Sequence, residues 1–320
     1  MSATPPPPPA TAFEELLAGD QAVLSRALSL LQRADAAADL LAARLRPYAG
    51  TSLVVGFTGP PGAGKSSLIA SYLSALRRDG RRAAVLAVDP SSPISGGSLL
   101  GDRVRMGALT SDPGIFIRSV ASGGHVGGLA LCIPRMIDAL DAAGWPVVVL
   151  ETVGVGQAES EVVDIADVKV VLTAPGLGDE IQALKAGMLE LADVLVVNKS
   201  DLPRADLTRR QLEAMLPLRP AHRPVPPVIS TSTTVGDGVD DLVAAIDGFA
   251  TGPDARPPQR RAADRLRHAL VASALSEFRD RLSALPDEHV DELAEAVAES
   301  ALDWTSATEQ LVERAAGTRS

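Results

Sequence analysis

The stretch TGPPGAGKSSLI, residues 58–69, constrains the fold of this chain more than any other. Its spacing satisfies the pattern G-x-x-x-x-G-K-[ST] with Gly59, Gly64, Lys65 and Ser66. An apolar run, residues 53–57, precedes it, and a helical pattern follows. Glycines let backbone N–H groups converge on an oxyanion, and the dipole of the following helix favours the same negative charge. The stretch therefore predicts a strand, a phosphate-binding loop and a helix.

This phosphate loop predicts a bound nucleoside triphosphate with magnesium. The residues expected to contact the phosphates are Gly59, Gly62, Ala63, Gly64, Lys65, Ser66 and Ser67. Lys65 should reach the β and γ phosphates, and the hydroxyl of Ser66 should ligate Mg²⁺. A chance Gly-rich turn is the alternative, but the complete pattern between a strand and a helix disfavours it.

The surrounding sequence alternates between short β-rich runs and helical stretches. Predicted strands are 53–57, 83–88, 115–118, 146–151, 168–173, 194–198 and 225–230. Predicted covering helices are 65–78, 129–143, 180–191, 207–215 and 239–249. Because the strands are apolar almost throughout, helices should cover both faces of a parallel sheet. The fold class is α/β, a doubly wound and mostly parallel sheet with N-terminal and C-terminal helical extensions.

Composition shifts suggest five regions along the chain. Residues 1–12 form a Pro-rich tail expected to be disordered, and apolar residues at helical spacing predict two helices within residues 13–50. Residues 51–250 form the phosphate-loop domain, 251–263 a Pro- and Gly-rich linker, and 264–320 a helical arm. The arm either folds back on the domain or forms a dimer. A heptad stripe this short is compatible with both arrangements.

The charge balance and the cysteine content limit the environment and the partners. The chain carries 40 Asp and Glu against 30 Lys and Arg, so neither nucleic acid nor an anionic membrane is an expected partner. No apolar run approaches the roughly 18 residues of a membrane helix. The single cysteine, Cys132, lies in an apolar run and is expected to be a buried, inert thiol. A reducing cytoplasmic location is the expectation.

A second motif, VLVVNKSDL, predicts which base is bound. Asn198, Lys199 and Asp201 form the N-K-x-D pattern of GTPases at the end of a predicted strand. A carboxylate at Asp201 can accept from the guanine N1–H and the exocyclic amine, whereas adenine would leave it unpaired. The segment Ser230, Thr231 and Ser232 follows the next strand and is the expected last guanine-contacting loop. GTP and GDP are therefore the predicted ligands.

Carboxylates near the predicted γ-phosphate position are candidates for the metal and the attacking water. Glu151 ends a buried strand, and Gly154 lies three residues on, where GTPases place an N–H that donates to the γ phosphate. Asp89 and Asp102 flank a polar, Gly-rich segment that is typical of a switch. Two carboxylates approach a phosphate only with a cation between, so the predicted metal ligands are Ser66, Asp89, Asp102 and Glu151. For Asp102, capping a following helix is the competing explanation.

Several segments together resemble the MeaB/ArgK GTPases, which accompany adenosylcobalamin-dependent acyl-CoA mutases such as methylmalonyl-CoA mutase. The resemblance covers about residues 16–249, and the segments that carry it are GFTGPPGAGKSSL, AVDPSSPISGGSLLGDRVRM, FIRSVASGGHVGGL, ETVGVGQAE, PGLGDEIQALKAGMLELADVLVVNKSD and the helical GDQAVLSRALSLLQ ahead of the domain. They are jointly specific, whereas the phosphate loop and N-K-x-D alone would fit any GTPase.

The resemblance implies a GTPase chaperone that protects the mutase and gates loading of its cobalamin cofactor, usually as a homodimer through C-terminal helices. It places Asp89 and Asp102 in a first switch, residues 151–157 in a second and residues 175–187 in a third. The catalytic residues it implies are Lys65, Asp102, Glu151 and Lys185.

Three other functions are weighed against this one. A nickel-insertion GTPase would need clustered thiolates or imidazoles, but Cys132 stands alone and the four histidines are scattered. A kinase of a transport-system binding protein would transfer the phosphate to protein, although Asp201 favours guanine. A guanine-nucleotide-binding scaffold would retain GTP without hydrolysing it.

Overall fold

The structure is a computed structural model of the chain. It describes residues 10–33, 35–89, 109, 111–121, 126–152, 165–176, 189–219, 224–252 and 255–317. The architecture below is that of these residues.

The centre of the molecule is a parallel sheet of seven strands. The strands are β1 Leu53–Thr58, β2 Ala83–Asp89, β3 Ile115–Ala121, β4 Val147–Thr152, β5 Val168–Thr173, β6 Val194–Val197 and β7 Val228–Ser230. Their order is β3-β2-β4-β1-β5-β6-β7, and every pairing within the described residues is parallel. The predicted doubly wound α/β fold is confirmed.

Ten helices of eight or more residues are present in the described residues. They are α1 Ala10–Leu17, α2 Gln21–Leu31, α3 Ala36–Leu45, α4 Lys65–Arg78, α5 Val126–Ala142, α6 Ala205–Met215, α7 Val239–Thr251, α8 Pro258–Ser283, α9 Asp287–Ala298 and α10 Trp304–Gly317. A short helical segment, Leu189–Leu191, is the described end of the predicted helix 180–191. None of the described helices is long and apolar enough to cross a membrane.

The two faces of the sheet bury separate apolar cores. Helices α4 and α7 cover one face, where Val55 and Phe57 of β1 pack with Leu68 and Ile246. Helices α1, α2, α3 and α5 cover the other face, where Val54 lies in one cluster with α2 and α5. Burying apolar surface stabilises the fold by roughly 25 cal/mol per Å², and side chains in such a core are closely packed. Helix α4, which begins directly after the phosphate loop, is therefore held firmly against the sheet.

The C-terminal arm is attached to the domain by a buried ion-pair cluster at the amino end of the sheet. Arg265 of α8 donates through Nη1 to both carboxylate oxygens of Asp167, at 2.6 and 2.8 Å. Arg261 lies one turn earlier, with Nε 3.4 Å from Asp167 Oδ2. The same carboxylate accepts from the backbone N–H of Val54 at 2.9 Å. The cluster joins α8 to the starts of β1 and β5.

Several predicted boundaries are wrong in detail. Three helices, not two, precede β1, because Asp20 accepts from the backbone N–H of Ala22 and Val23 and begins a new helix, as Asp35 does again. Helix α1 begins at Ala10, inside the predicted tail. Helix α8 begins at Pro258, inside the predicted linker, and α10 was not predicted.

Candidate functional site

The candidate site lies at the carboxyl ends of the central strands. β1 has β4 on one side and β5 on the other, and the chain order reverses direction at β1. Ligands of open α/β sheets bind at such a crevice outside the carboxyl ends. The phosphate loop follows β1, Glu151 lies in β4, and the N-K-x-D motif follows β6. The topology therefore brings motifs that are far apart in sequence to one edge.

Two glycines allow the phosphate loop to adopt its path. Gly59 has φ 148° and Gly64 has φ 90°, backbone conformations that L side chains rarely adopt. A side chain at Gly59 would also collide with the backbone carbonyl of Leu172 in β5. A Cβ at Gly64 would lie 2.5 Å from Nδ2 of Asn198. The loop is thus packed against β5 on one side and the base motif on the other.

Lys65 and Ser66 begin α4 and are both buried. The ammonium of Lys65 donates to the backbone carbonyls of Gly59 at 2.5 Å and Pro60 at 3.3 Å, so it lies back across its own loop. The hydroxyl of Ser66 donates to Glu151 Oε1 at 2.6 Å. Glu151 is fully buried at the end of β4. Two of the predicted metal ligands are therefore in direct contact.

Asn198 connects the base motif to the phosphate loop and to β7. Its Nδ2 donates to the backbone carbonyl of Ala63 at 2.8 Å, and its Oδ1 accepts from the hydroxyl of Thr231 at 3.0 Å. Both side chains are buried. The amide is a structural link between the two motifs, since both of its ends are used within the protein.

Asp201 and Lys199 lie in the loop after β6 and contact two different neighbouring loops. Asp201 Oδ1 accepts from the hydroxyl of Ser232 at 2.5 Å, which orients the carboxylate toward the loop after β7. Lys199 has a left-handed backbone, with φ 56°, and its ammonium donates to the backbone carbonyl of Gly62 at 2.8 Å. A non-glycine residue holds such a conformation only when its surroundings enforce it. Lys199 therefore spans from the base motif to the phosphate loop.

The described part of the chain brings together most of the predicted contact residues. Ser67 is exposed on the first turn of α4, and Ser230 ends β7 beside Thr231 and Ser232. Asp89 ends β2, but its side chain lies outside the described residues. Asp102, Gly154 and Lys185 also lie outside them, together with most of the three predicted switches.

Sequence reasoning missed the turn that supports Ser232. The backbone N–H of Ser232 donates to the carbonyl of Asp237 at 3.0 Å, and Gly236 N–H donates to the carbonyl of Ser232 at 2.8 Å. Gly238 has φ 73°, and a side chain there would collide with the carbonyl of Ser230. The sequence signal was the pair of glycines in VGDGV, which marks a tight turn directly before α7.

The donor set is compatible with magnesium. In the described residues no group of three or more His, Cys, Asp or Glu side chains could hold a metal ion. One hydroxyl and one carboxylate, at Ser66 and Glu151, are hard oxygen donors of the kind that Mg²⁺ takes when substrate phosphates and water complete its shell. The arrangement does not suit nickel, which prefers imidazole or thiolate ligands.

Comparison with known proteins gives three consistent similarities. GTPase ArgK of Escherichia coli is 38% identical over 251 residues, covering 76% of each chain. A mouse protein named methylmalonic aciduria type A homolog is 40% identical over 193 residues, 59% of this chain and 46% of its own. A crystal structure described as LAO/AO transport system kinase superposes with a TM-score of 0.77 at 28% identity, over 95% of this chain and 96% of the other.

The match to a family model covers most of the chain. The model describes the methylmalonyl-CoA mutase-associated GTPase MeaB, and it matches residues 24–287. That range includes the phosphate loop, Glu151, the N-K-x-D motif and the start of the arm. This chain therefore belongs to the MeaB family and is a GTPase.

Proposed function

We propose that this GTPase is a chaperone of an adenosylcobalamin-dependent acyl-CoA mutase of the methylmalonyl-CoA mutase type. In this role it gates loading of the cobalamin cofactor and protects the mutase. The observation that carries the proposal is the family match over residues 24–287, because the family is described by its association with that mutase. The mouse relative is named for methylmalonic aciduria, which supports the same partner.

The proposed ligands are GTP, GDP and Mg²⁺. Asp201 reads the guanine edge, held in place by Ser232, and the loop residues 59–67 hold the phosphates. Lys65 exchanges the carbonyls of Gly59 and Pro60 for the β and γ phosphates, whose oxygens are stronger acceptors for an ammonium. When bound, Mg²⁺ neutralises charge between the β and γ phosphates.

Hydrolysis proceeds by in-line attack of water on the γ phosphate. Lys65 and the backbone N–H groups of the loop stabilise charge on the transferred group. The proposed metal ligands are Ser66, Asp89, Asp102 and Glu151, and the proposed catalytic residues are Lys65, Asp102, Glu151 and Lys185. Gly154 donates its N–H to the γ phosphate. Because no glutamine directly follows Gly154, intrinsic GTP hydrolysis is slow and is stimulated by the partner.

The chain works in the cytoplasm as a homodimer formed by the arm. Support comes from exposed apolar side chains on α8, where Leu270, Val271 and Leu275 are 69%, 55% and 60% exposed. Side chains of this size on one helix favour burial against a second surface.

The test uses purified chain and purified methylmalonyl-CoA mutase. Phosphate release from GTP is measured alone and with the mutase, and complex formation is measured with a non-hydrolysable GTP analogue and with GDP. We expect the mutase to accelerate release at least about tenfold, because partners stimulate slow GTPases by about 10³ to 10⁵. Lys65→Ala is the control that binds the mutase without releasing phosphate. An unchanged rate with no complex in either nucleotide state rejects the chaperone role.

A second candidate function is that of a kinase, because the superposed crystal structure is described as a transport system kinase. The two functions differ in the phosphate acceptor. Incubation with γ-³²P-labelled GTP and a transport-system binding protein distinguishes them, because a kinase leaves the label on protein and a GTPase leaves it as inorganic phosphate. Asp201 favours guanine in either case.

A further inference from the structure

The three central strands share one feature that the proposed function does not use. Their sequences are LVVGFT for β1, VVVLET for β4 and VKVVLT for β5, so each ends in threonine. The neighbouring strands β2 and β6 end in Asp89 and Val197. The three threonines, Thr58, Thr152 and Thr173, are called the threonine row below. They are 2%, 1% and 1% exposed.

The three threonines lie on adjacent strands of the sheet. Phe57 pairs with Glu151, so the next residues along these parallel strands, Thr58 and Thr152, end β1 and β4 side by side. Thr58 also pairs with Val171, two residues before Thr173. Neighbouring strands lie about 4.8 Å apart and two residues of strand span about 6.6 Å. The three residues therefore lie within a single patch at the carboxyl edge.

All three side chains lie on the sheet face opposite α4. Successive side chains of a strand point to opposite faces. Phe57 and Leu172 pack in the core under α4, so Thr58 and Thr173, one residue on, point the other way. Leu150 belongs to the opposite core, so Thr152, two residues on, faces with it. Glu151 points to the α4 side, where it meets Ser66.

Two of these hydroxyls have no hydrogen-bond partner among the residues that the structure describes. Thr152 Oγ1 donates weakly to the carbonyl of Phe57, at 3.5 Å. Within the described part of the chain, Thr58 Oγ1 and Thr173 Oγ1 have none. A buried hydroxyl without a partner is costly, and valine has the same shape without that cost. Valine fills most other positions in these strands, so the hydroxyls require an explanation beyond packing.

The position of the threonine row in the sequence suggests why these hydroxyls are present. Thr58 directly precedes Gly59 of the phosphate loop, Thr152 is the second residue of the second proposed switch, and Thr173 is two residues before the third. The row thus lies at the base of three loops that are proposed to respond to the γ phosphate. A hydroxyl at a strand end can donate to a backbone carbonyl of the loop stem beside it.

We propose that Thr58 and Thr173 are positioning residues that hold the stems of the loops after β1 and β5 in the hydrolysing arrangement. The hydroxyls of Thr58 and Thr173 gain backbone carbonyl acceptors in these stems when GTP is bound, and Thr152 contacts β1 through the carbonyl of Phe57. The inference rests on the proposed roles of the loops in GTP hydrolysis. The row touches neither the phosphates nor the attacking water, and it acts through the loops.

The test compares Thr58→Val and Thr173→Val with Thr58→Ser and Thr173→Ser, which keep the hydroxyl. Ser52→Ala is the matched control, because Ser52 Oγ is also buried without a partner among the described residues, just before β1 at the opposite edge of the sheet. For each variant, kcat and KM for GTP, affinity for GDP and the unfolding midpoint without nucleotide are measured.

We expect each valine variant to lower kcat about three- to tenfold, the effect of one hydrogen bond lost from the hydrolysing state. GDP affinity and KM should stay within about twofold, and the nucleotide-free unfolding midpoint should not fall, because the valine removes an unpartnered hydroxyl. Both serine variants and Ser52→Ala should hydrolyse GTP at the wild-type rate.

Two results would overturn the proposal. Wild-type kcat in both valine variants would show that the hydroxyls do not act in hydrolysis. A lowered unfolding midpoint with unchanged kcat would assign them to a permanent structural water. If wild-type chain itself releases no phosphate from GTP, with or without the mutase, the proposed function fails first, which is a distinguishable outcome.

Discussion

At the scale of single residues, Asp201 carries the choice of base. Its carboxylate is exposed and is oriented by the hydroxyl of Ser232 at 2.5 Å. We expect Asp201→Asn to weaken GTP binding at least about 100-fold, because the amide replaces one acceptor oxygen with an NH₂ group that opposes a donor of the guanine edge. Lys199→Arg should cost far less, since a cation still reaches the carbonyl of Gly62.

The measurement is titration calorimetry of the wild type and both variants with a GTP analogue. Xanthosine triphosphate is the positive control for folding of Asp201→Asn, because its second carbonyl can accept from the new amide. Equal GTP affinity in wild type and Asp201→Asn would refute the assignment of the base.

Lys65 is the residue whose loss should affect hydrolysis most. Its ammonium lies over the loop, 2.5 Å from the carbonyl of Gly59. We expect Lys65→Ala to lower phosphate release at least about 100-fold, the range seen when one transition-state donor is removed. Single-turnover assays at saturating GTP measure it, and release at the wild-type rate would remove Lys65 from the mechanism.

At the scale of elements, the ion-pair cluster under α8 should control attachment of the arm. Arg265 and Asp167 are 6% and 3% exposed in their side chains, and removing Arg265 takes away the nearer of the two cations, leaving the buried Asp167 with the more distant Arg261. We expect Arg265→Met to lower the free energy of unfolding by about 3 kcal/mol, typical of a broken buried pair. Arg267→Met is the control, because Arg267 is exposed on the same helix.

Denaturant unfolding gives the free energy of unfolding of both variants, and hydrogen exchange reports how well the backbone of α8 is protected in each. An equal free energy of unfolding and equal exchange in the two variants would show that the cluster does not attach the arm. We expect the loss of protection from hydrogen exchange to be confined to α8, with the GTPase domain still protected, which would locate the effect at the arm.

How far the sequence predicts each element depends on how local its signals are. The bounds of α4 and β5 match the expected ranges, because Gly64 and the apolar run mark them within a few residues. The break between α1 and α2 was missed although Gly19 and Asp20 encode it locally, since the apolar spacing continues across it. α10 was missed because large apolar residues are few in its sequence, WTSATEQLVERAAG, and its buried residues are the alanines Ala307 and Ala315.

Prediction of the site also succeeds only where the signals in the sequence are local. The sequence predicts which motifs contact phosphate and base, because each motif is a short local pattern. The bonds between motifs could not be read in this way, since Asn198 and Ala63 are 135 residues apart and Lys199 and Gly62 are 137 apart. Only the order of the strands in the sheet brings them together.

At the scale of the whole molecule, the exposed face of α8 should form the dimer. Val271 and Leu275 lie one turn apart and are more than half exposed. We expect the wild type to sediment as a dimer and the double variant Val271→Glu, Leu275→Glu as a monomer, because buried carboxylates without partners oppose association. Leu207→Glu, at an exposed leucine of α6, is the control.

Analytical ultracentrifugation across a concentration series reports the result. A monomeric wild type would reject the dimer, and a dimeric double variant would place the interface elsewhere. Hydrolysis of GTP without the mutase should be unchanged in the double variant, because neither substituted residue belongs to the proposed GTP site.

The central claim is that the carboxyl edge of the sheet binds a nucleoside triphosphate and selects guanine over adenine. Calorimetry of the purified wild-type chain with Mg²⁺ tests it most directly, using non-hydrolysable analogues of GTP and ATP. The account predicts that the GTP analogue binds at least about 100-fold more tightly, because adenine leaves the carboxylate of Asp201 without its two donors. Equal affinity for the two analogues, or binding of neither, would contradict it.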